Sequence, residues 1–180
     1  MEEVPSWWYK LLHPRPAYII AASHNGRRSV MAASWVMPVS EEPARLALAI
    51  DTESYTYSLI RGSGYFSVNI LFAEHLDKIW RAGTISGHDV KDKPRAVGLD
   101  LIMSDHAPIV KQAAAAIISR VWKTINTGDT DLVIGDVIRA EIYREEAFDK
   151  RYGWRPGKAP IPMHLAAKGF VLPGKLVIAR

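Results

Sequence analysis

Tyr18-Ile-Ile-Ala-Ala-Ser-His24-Asn25-Gly26-Arg27-Arg-Ser-Val30-Met-Ala-Ala-Ser-Trp-Val-Met37 decides how this chain folds. Two apolar runs, Tyr18 to Ala22 and Val30 to Met37, flank an Asn-Gly pair. Both residues of that pair tolerate the positive φ of a type I′ turn, so the stretch predicts a β-hairpin. Beyond Pro38 and Pro43, Arg45 to Ile50 predicts a third strand. The period then changes: Ser54 to Arg61 predicts a short helix with Ser54 placed to cap it.

Tyr65 to Ile70 returns to strand. Phe72, Leu76, Ile79 and Trp80 recur at helical spacing, with Glu74 and Lys78 four apart on the other face, and predict a helix from Phe72 to Arg81. Gly83 to Gly98 is charged and glycine-containing and reads as a functional or mobile loop. Two long strands are expected next, about Ala116 to Thr124 and Leu132 to Arg144. In the second, Ile138, Ala140 and Ile142 alternate with Arg139, Glu141 and Tyr143, the pattern of a sheet with one solvated face. Periodicity leaves open whether Ala113 to Ala116 starts a helix instead. Leu176-Val177-Ile178 reads as a closing strand. Six or seven strands, few helices and short links favour a mainly β, antiparallel barrel, and no glycine-rich strand-to-helix turn supports a Rossmann fold.

Composition sets the outer limits. One domain across residues 1–180 is expected from the length, and 48% hydrophobic residues can supply its core. Absence of cysteine excludes disulfides, thiol catalysis, thiolate zinc and iron–sulfur clusters. No leader pattern opens the chain and no apolar run approaches the roughly 20 residues of a spanning helix, so a soluble, cytoplasmic protein away from membranes is expected. The formal charge of +4 is scattered, with Arg27-Arg28 an isolated adjacent pair in a turn, which argues against nucleic acid. Six histidines show no metal-ligand spacing, so no metal site is expected, and no Gly-x-Ser-x-Gly elbow supports a serine triad.

Three stretches remain as chemistry. Met31-Ala-Ala-Ser-Trp35 sets small residues, one hydroxyl and one large aromatic on a central strand, where a planar ligand could approach backbone N–H groups. Ordinary barrel packing is the competing explanation. Ser54-Tyr-Thr-Tyr57 opens a helix whose free N–H groups and dipole could cradle phosphate; plain capping competes, and Asp51 and Glu53 oppose an anion unless a cation intervenes. Asn69, the last polar residue of its strand, is a third candidate. Trp7-Trp8-Tyr9 could cover a partner subunit or plug the barrel end, and an aromatic-rich composition agrees with a subunit contact.

Ser29-Val-Met-Ala-Ala-Ser-Trp-Val-Met-Pro-Val-Ser40 resembles the hairpin strand of the flavin reductase-like family, which includes flavoredoxins and the reductase components of two-component monooxygenases. Tyr55-Thr56 before Leu59-Ile60, Phe66-Ser-Val-Asn69, Ser86-Gly-His-Asp-Val90, Gly128-Asp-Thr-Asp-Leu-Val-Ile-Gly135 and Lys168-Gly-Phe170 follow in the family's order, covering about residues 13 to 175. The resemblance implies an FMN-binding antiparallel split β-barrel acting as a homodimer. It implies that Ala33, Ser34 and Trp35 contact the ring edge, with Val39 and Ser40 close by. Tyr55 and Thr56 would hold the phosphate, Asn69 would border the ring or ribityl chain, and Lys168 belongs to the closing segment. The implied activity is hydride transfer from NAD(P)H to flavin, or, as the alternative, electron carriage without a nicotinamide site. A barrel for another ligand, of pyridoxal phosphate or haem type, is the third option. Two departures stand out. Glu53-Ser54 replaces the Arg or Lys common ahead of the Tyr/Phe-Thr pair, leaving Arg28, Arg61 or Lys168 as the phosphate's counter-charge. Thr130 stands where relatives carry a histidine near the nicotinamide.

Overall fold

The computed structural model describes residues 3–179. Seven strands form its principal antiparallel sheet: β1 (Tyr18–His24), β2 (Arg27–Ala33), β3 (Val36–Ser40), β4 (Arg45–Asp51), β5 (Tyr65–Ile70), β6 (Ala115–Asn126) and β7 (Thr130–Ile142). Their order across the sheet is β2-β1-β5-β6-β7-β4-β3. The expected hairpin is present, with Asn25 at φ 49° and Gly26 at φ 74°, and Tyr18 pairs with Ala33 at its open end.

The predicted run Val30 to Met37 is not one strand. It breaks at Ser34-Trp35, and across that break the chain passes from one edge of the sheet, β2, to the other, β3. Seven strands laid flat would hold those edges roughly 29 Å apart at ~4.8 Å per strand. Three peptide steps from Ala33 to Val36 span at most about 11 Å. The sheet must therefore roll until its edges approach, which is the split-barrel architecture expected from the sequence.

Alternation in β1 distributes its side chains over two cores, which is why this strand is apolar from Tyr18 to Ala22. Ile20 and Ala22 join Leu48, Phe66, Val68 and Val133 inside the roll, closed by Tyr57 and Ile60 of helix α1 (Tyr55–Ser63). Ile19, Ala21 and Val30 face outward against Ile79 and Ala82 of helix α2 (Leu76–Thr84) and Val97 of helix α3 (Lys93–Val97). A hairpin of β8 (Met163–Ala166) and β9 (Gly169–Val171) is tied to the body by pairing of His164 with Arg15. Among the described residues no helix is long and apolar enough to cross a membrane.

Several local expectations change. Within Gly83 to Gly98, read as loop, α2 extends to Thr84 and α3 is a separate helix. The alanine run enters β6 rather than a helix, with Ala114 and Ala115 buried against Ile70, Ala159 and Ile161. Leu176, Val177 and Ile178 form no strand; they are exposed and no neighbouring strand is in register to pair them. Trp7 and Trp8 are half exposed rather than plugging the roll, while the Tyr9 ring lies 5.8 Å from that of Trp35.

Candidate functional site

Two crevices meet between β2 and α2. The first, about 210 Å³, has Ala17, Ala32, Ala33 and Ser34 as its floor. Ile79, Trp80 and Gly83 of α2 form one wall, and His164 and Phe170 of the β8–β9 hairpin form the other. The second, about 260 Å³, lies at the start of α1, where Ser54, Tyr55 and Thr56 face the loop Ser86-Gly87-His88 and Lys93. Ala32 and Gly83 line both, so the two make one trough. Its combined volume is in the range of roughly 300–1,000 Å³ usual for small-molecule sites.

Sequence explains why the trough is open. A Cβ on Gly83 would stand 3.3 Å from the Cβ of Ala32, so α2 lies close over β2 with only a methyl between them. At Gly87 a Cβ would fall 2.4 Å from the Tyr55 ring, and only glycine lets the loop pass over the helix start. His88 closes it, its ring 5.2 Å from that of Tyr55 and its Nε2 donating to the Glu53 carbonyl at 3.2 Å.

The second crevice gathers unpaired N–H donors and one ammonium beside two carboxylates. Ser58 N–H makes the first rung of α1, to the Ser54 carbonyl at 3.1 Å. Among the described residues the N–H groups of Tyr55, Thr56 and Tyr57 have no acceptor. Three free donors at the positive end of a nine-residue helix favour negative charge. Lys93 adds a full charge: it is 6% exposed, makes no ion pair or hydrogen bond among the described residues, and burial alone pulls its ammonium down to about 8. Asp51 and Glu53 also line this crevice and oppose an anion there; Asp51 accepts the Glu53 N–H at 2.7 Å within its own turn.

Among the described residues Lys93 is the one lysine or arginine that lines the trough. Arg28 is engaged by Asp92 at 2.9 Å, Arg61 lies over the Tyr57 ring, and Lys168 is exposed in the β8–β9 turn; none lines the trough. The signal for Lys93 was present in Asp92-Lys-Pro94…Gly98, an acidic N-cap, an early proline and a terminal glycine. In the structure Asp92 accepts the Arg95 N–H and Gly98 takes φ 80°.

Of the nine residues singled out, Ala33, Ser34, Tyr55 and Thr56 line the trough. Ser54 and Thr56 do so differently from expectation: the Ser54 hydroxyl points to the Met31 sulfur at 3.4 Å instead of capping, and the Thr56 hydroxyl is buried against Ser29. Trp35, Val39 and Ser40 lie in or just before edge strand β3 and Lys168 in the β8–β9 turn, and none of them lines the trough. Asn69 is fully buried, its amide donating to the Ile19 carbonyl and Ser67 and its oxygen accepting the Val110 N–H. With no group left over and no surface on the trough, it serves the core. Trp80, Gly83, Lys93, His164 and Phe170 were not singled out as site residues.

Residues 10–160 match the family model described as "Flavin reductase like domain". The chain belongs to the flavin reductase-like family. An uncharacterized protein of Pyrococcus abyssi is 34% identical over 143 residues, 78% of this chain and 81% of that one. A ferric-chelate reductase (NAD(P)H) of Archaeoglobus fulgidus is 26% identical over 71% of this chain and 76% of its own. In solved structures, an FMN-binding protein from Thermus thermophilus superposes with TM-score 0.87 at 20% identity, over 100% of this chain and 97% of that one. For this flavin reductase-like chain, the rolled sheet and the position of the trough follow from residues already described.

Proposed function

We propose that the trough binds FMN and that the protein transfers hydride from NAD(P)H to it. The observation that carries this reading is the joining, at Ala32 and Gly83, of an apolar slot to a pocket holding an uncompensated buried ammonium. A flat ring with a phosphorylated tail matches that division. FMN, when bound, supplies two-electron chemistry that no side chain here provides. Ser34 can donate its hydroxyl to a ring oxygen, Ile79, Trp80 and Phe170 exclude water, and Lys93 with the α1 N–H groups neutralises phosphate. The FMN-binding protein and the NAD(P)H reductase among the similar proteins support both halves of the reading.

The test is spectroscopic. Purified protein, or apoprotein given FMN, should show the bound-flavin band, and anaerobic NADH or NADPH should bleach it. Protein that takes up no FMN overturns the reading.

A second reading, an electron carrier reduced by another protein, is favoured by one observation. Thr130 ends in a turn closed on itself, its hydroxyl 3.0 Å from that of Thr127, and offers no imidazole to a nicotinamide. Flavin that binds but stays oxidised with both nucleotides would select it. A homodimer is part of the proposal: Met37 and Val39 are exposed on edge strand β3 beside half-exposed Trp35, and a second copy would bury them.

A further inference from the structure

Two consecutive residues of β2 tie down the two halves of the second crevice, their side chains leaving opposite faces of the strand. Ser29, fully buried, shares a hydrogen bond with the Thr56 hydroxyl at 2.9 Å, which fixes β2 to the first turn of α1. Arg28 donates from Nη2 to Asp92 Oδ2 at 2.9 Å, and Asp92 is the residue that caps α3. Its other carboxylate oxygen accepts the Arg95 N–H at 3.4 Å, and its carbonyl accepts the Ala96 N–H at 2.9 Å. The bond from Arg28 holds the Asp92 carboxyl below its ordinary range, and the Arg95 N–H adds to that. Lys93 follows directly as the first residue of α3. At the far end of α3, Val97 packs into the core with Val30 and Ile79, so the Arg28 contact ties the end that carries Lys93. Arg28 and Asp92 line a groove beside the β1–β2 turn, and neither lines the trough.

We infer that Arg28 is a positioning residue of the phosphate site, acting through Asp92 to set Lys93 against the free N–H groups of α1. The inference rests on FMN binding as proposed above. Lys93 makes no ion pair or hydrogen bond among the described residues, so its place is set by the backbone that carries it. One phosphate can meet both the ammonium and the α1 donors only if the starts of α3 and α1 keep a fixed separation. β2 is the strut between them, through Arg28 on one face and Ser29 on the other. The side chains of Arg28 and Asp92 are 44% and 36% exposed, and ion pairs that open to water add little to stability. Loss of Arg28 therefore falls on the position of the Lys93 charge and not on the fold.

A double-mutant cycle between Arg28 and Lys93 tests this, read as the preference for FMN over riboflavin in flavin-fluorescence titrations. Arg28→Met should lower that preference by about three- to fivefold, the upper end for an exposed ion pair, with riboflavin affinity unchanged. Arg28→Lys, which can still pair with Asp92, should stay within about twofold of wild type. In a Lys93→Met background, Arg28→Met should alter the preference by less than about twofold, because the charge it positions is gone. Equal losses in both backgrounds would make Arg28 an independent partner of the phosphate and overturn the inference. A fall in riboflavin affinity in step with FMN, or no effect of Arg28→Met in the Lys93 protein, overturns it as well; all three results leave FMN binding intact. Wild-type protein that binds no FMN overturns the proposed function and this inference with it.

Discussion

The hydroxyls of Ser29 and Thr56 lie 2.9 Å apart, both buried, and join β2 to the first turn of α1. That bond, more than a ligand contact, accounts for Thr56. Thr56→Val keeps the shape but leaves the Ser29 hydroxyl without a partner, which should cost about 1–3 kcal/mol. Urea unfolding of the apoprotein checks it. FMN affinity should change less than in Lys93→Met, because the Thr56 N–H remains.

Gly83 is where the two crevices join, with 3.3 Å from a built Cβ to Ala32. Gly83→Val adds three carbons at that junction. We expect a folded protein whose FMN affinity falls by about tenfold or more, the scale of a substituent of one to two carbons in a closed pocket. Fluorescence titration with FMN measures it, and circular dichroism confirms the fold.

Lys93 makes stability depend on pH with a definite sign. Below pH 8 both folded and unfolded chains carry the ammonium, and the folded one bears its desolvation. Between about 8 and the ordinary 10.5 the folded chain has released its proton and the unfolded one has not. The unfolded state then binds more protons, so apoprotein stability attributable to this residue rises with pH over that window. Unfolding of wild type against Lys93→Met at pH 7.5 and 9.5 should show the slope only in wild type.

Asn69 makes three buried hydrogen bonds. Asn69→Leu removes them and strands the Val110 N–H and Ile19 carbonyl, so the loss should be about 2–5 kcal/mol. Thermal unfolding measures it. In whatever fraction folds, FMN affinity should match wild type.

How far the sequence reveals this site depends on which residues depend on distant partners. The β1–β2 hairpin was legible because its cause is local: Asn25 and Gly26 supply the positive φ themselves. So was α1, whose apolar spacing buries Thr56, Tyr57, Leu59 and Ile60. The crossing at Ser34-Trp35 was not, since no glycine or proline marks it and only closure of the sheet requires it. Asn69 was misread for a similar reason: nothing near it in sequence announces that the Ile19 carbonyl and Val110 N–H converge on its amide. Lys93 had a local signal in its flanking caps, but its place beside α1 is set by packing of α3 on β2. His164 reaches the crevice only because β8 pairs with Arg15, across about 150 residues of chain.

On the proposed function, Lys93 and the start of α1 hold the phosphate of FMN. Calorimetric titration of wild type and Lys93→Met with FMN and with riboflavin, which lacks the phosphate, tests it directly. We expect wild type to prefer FMN by at least about tenfold and Lys93→Met to lose most of that preference, with riboflavin affinity unchanged. Equal binding of FMN and riboflavin by wild type, or an undiminished preference in Lys93→Met, would place the phosphate elsewhere.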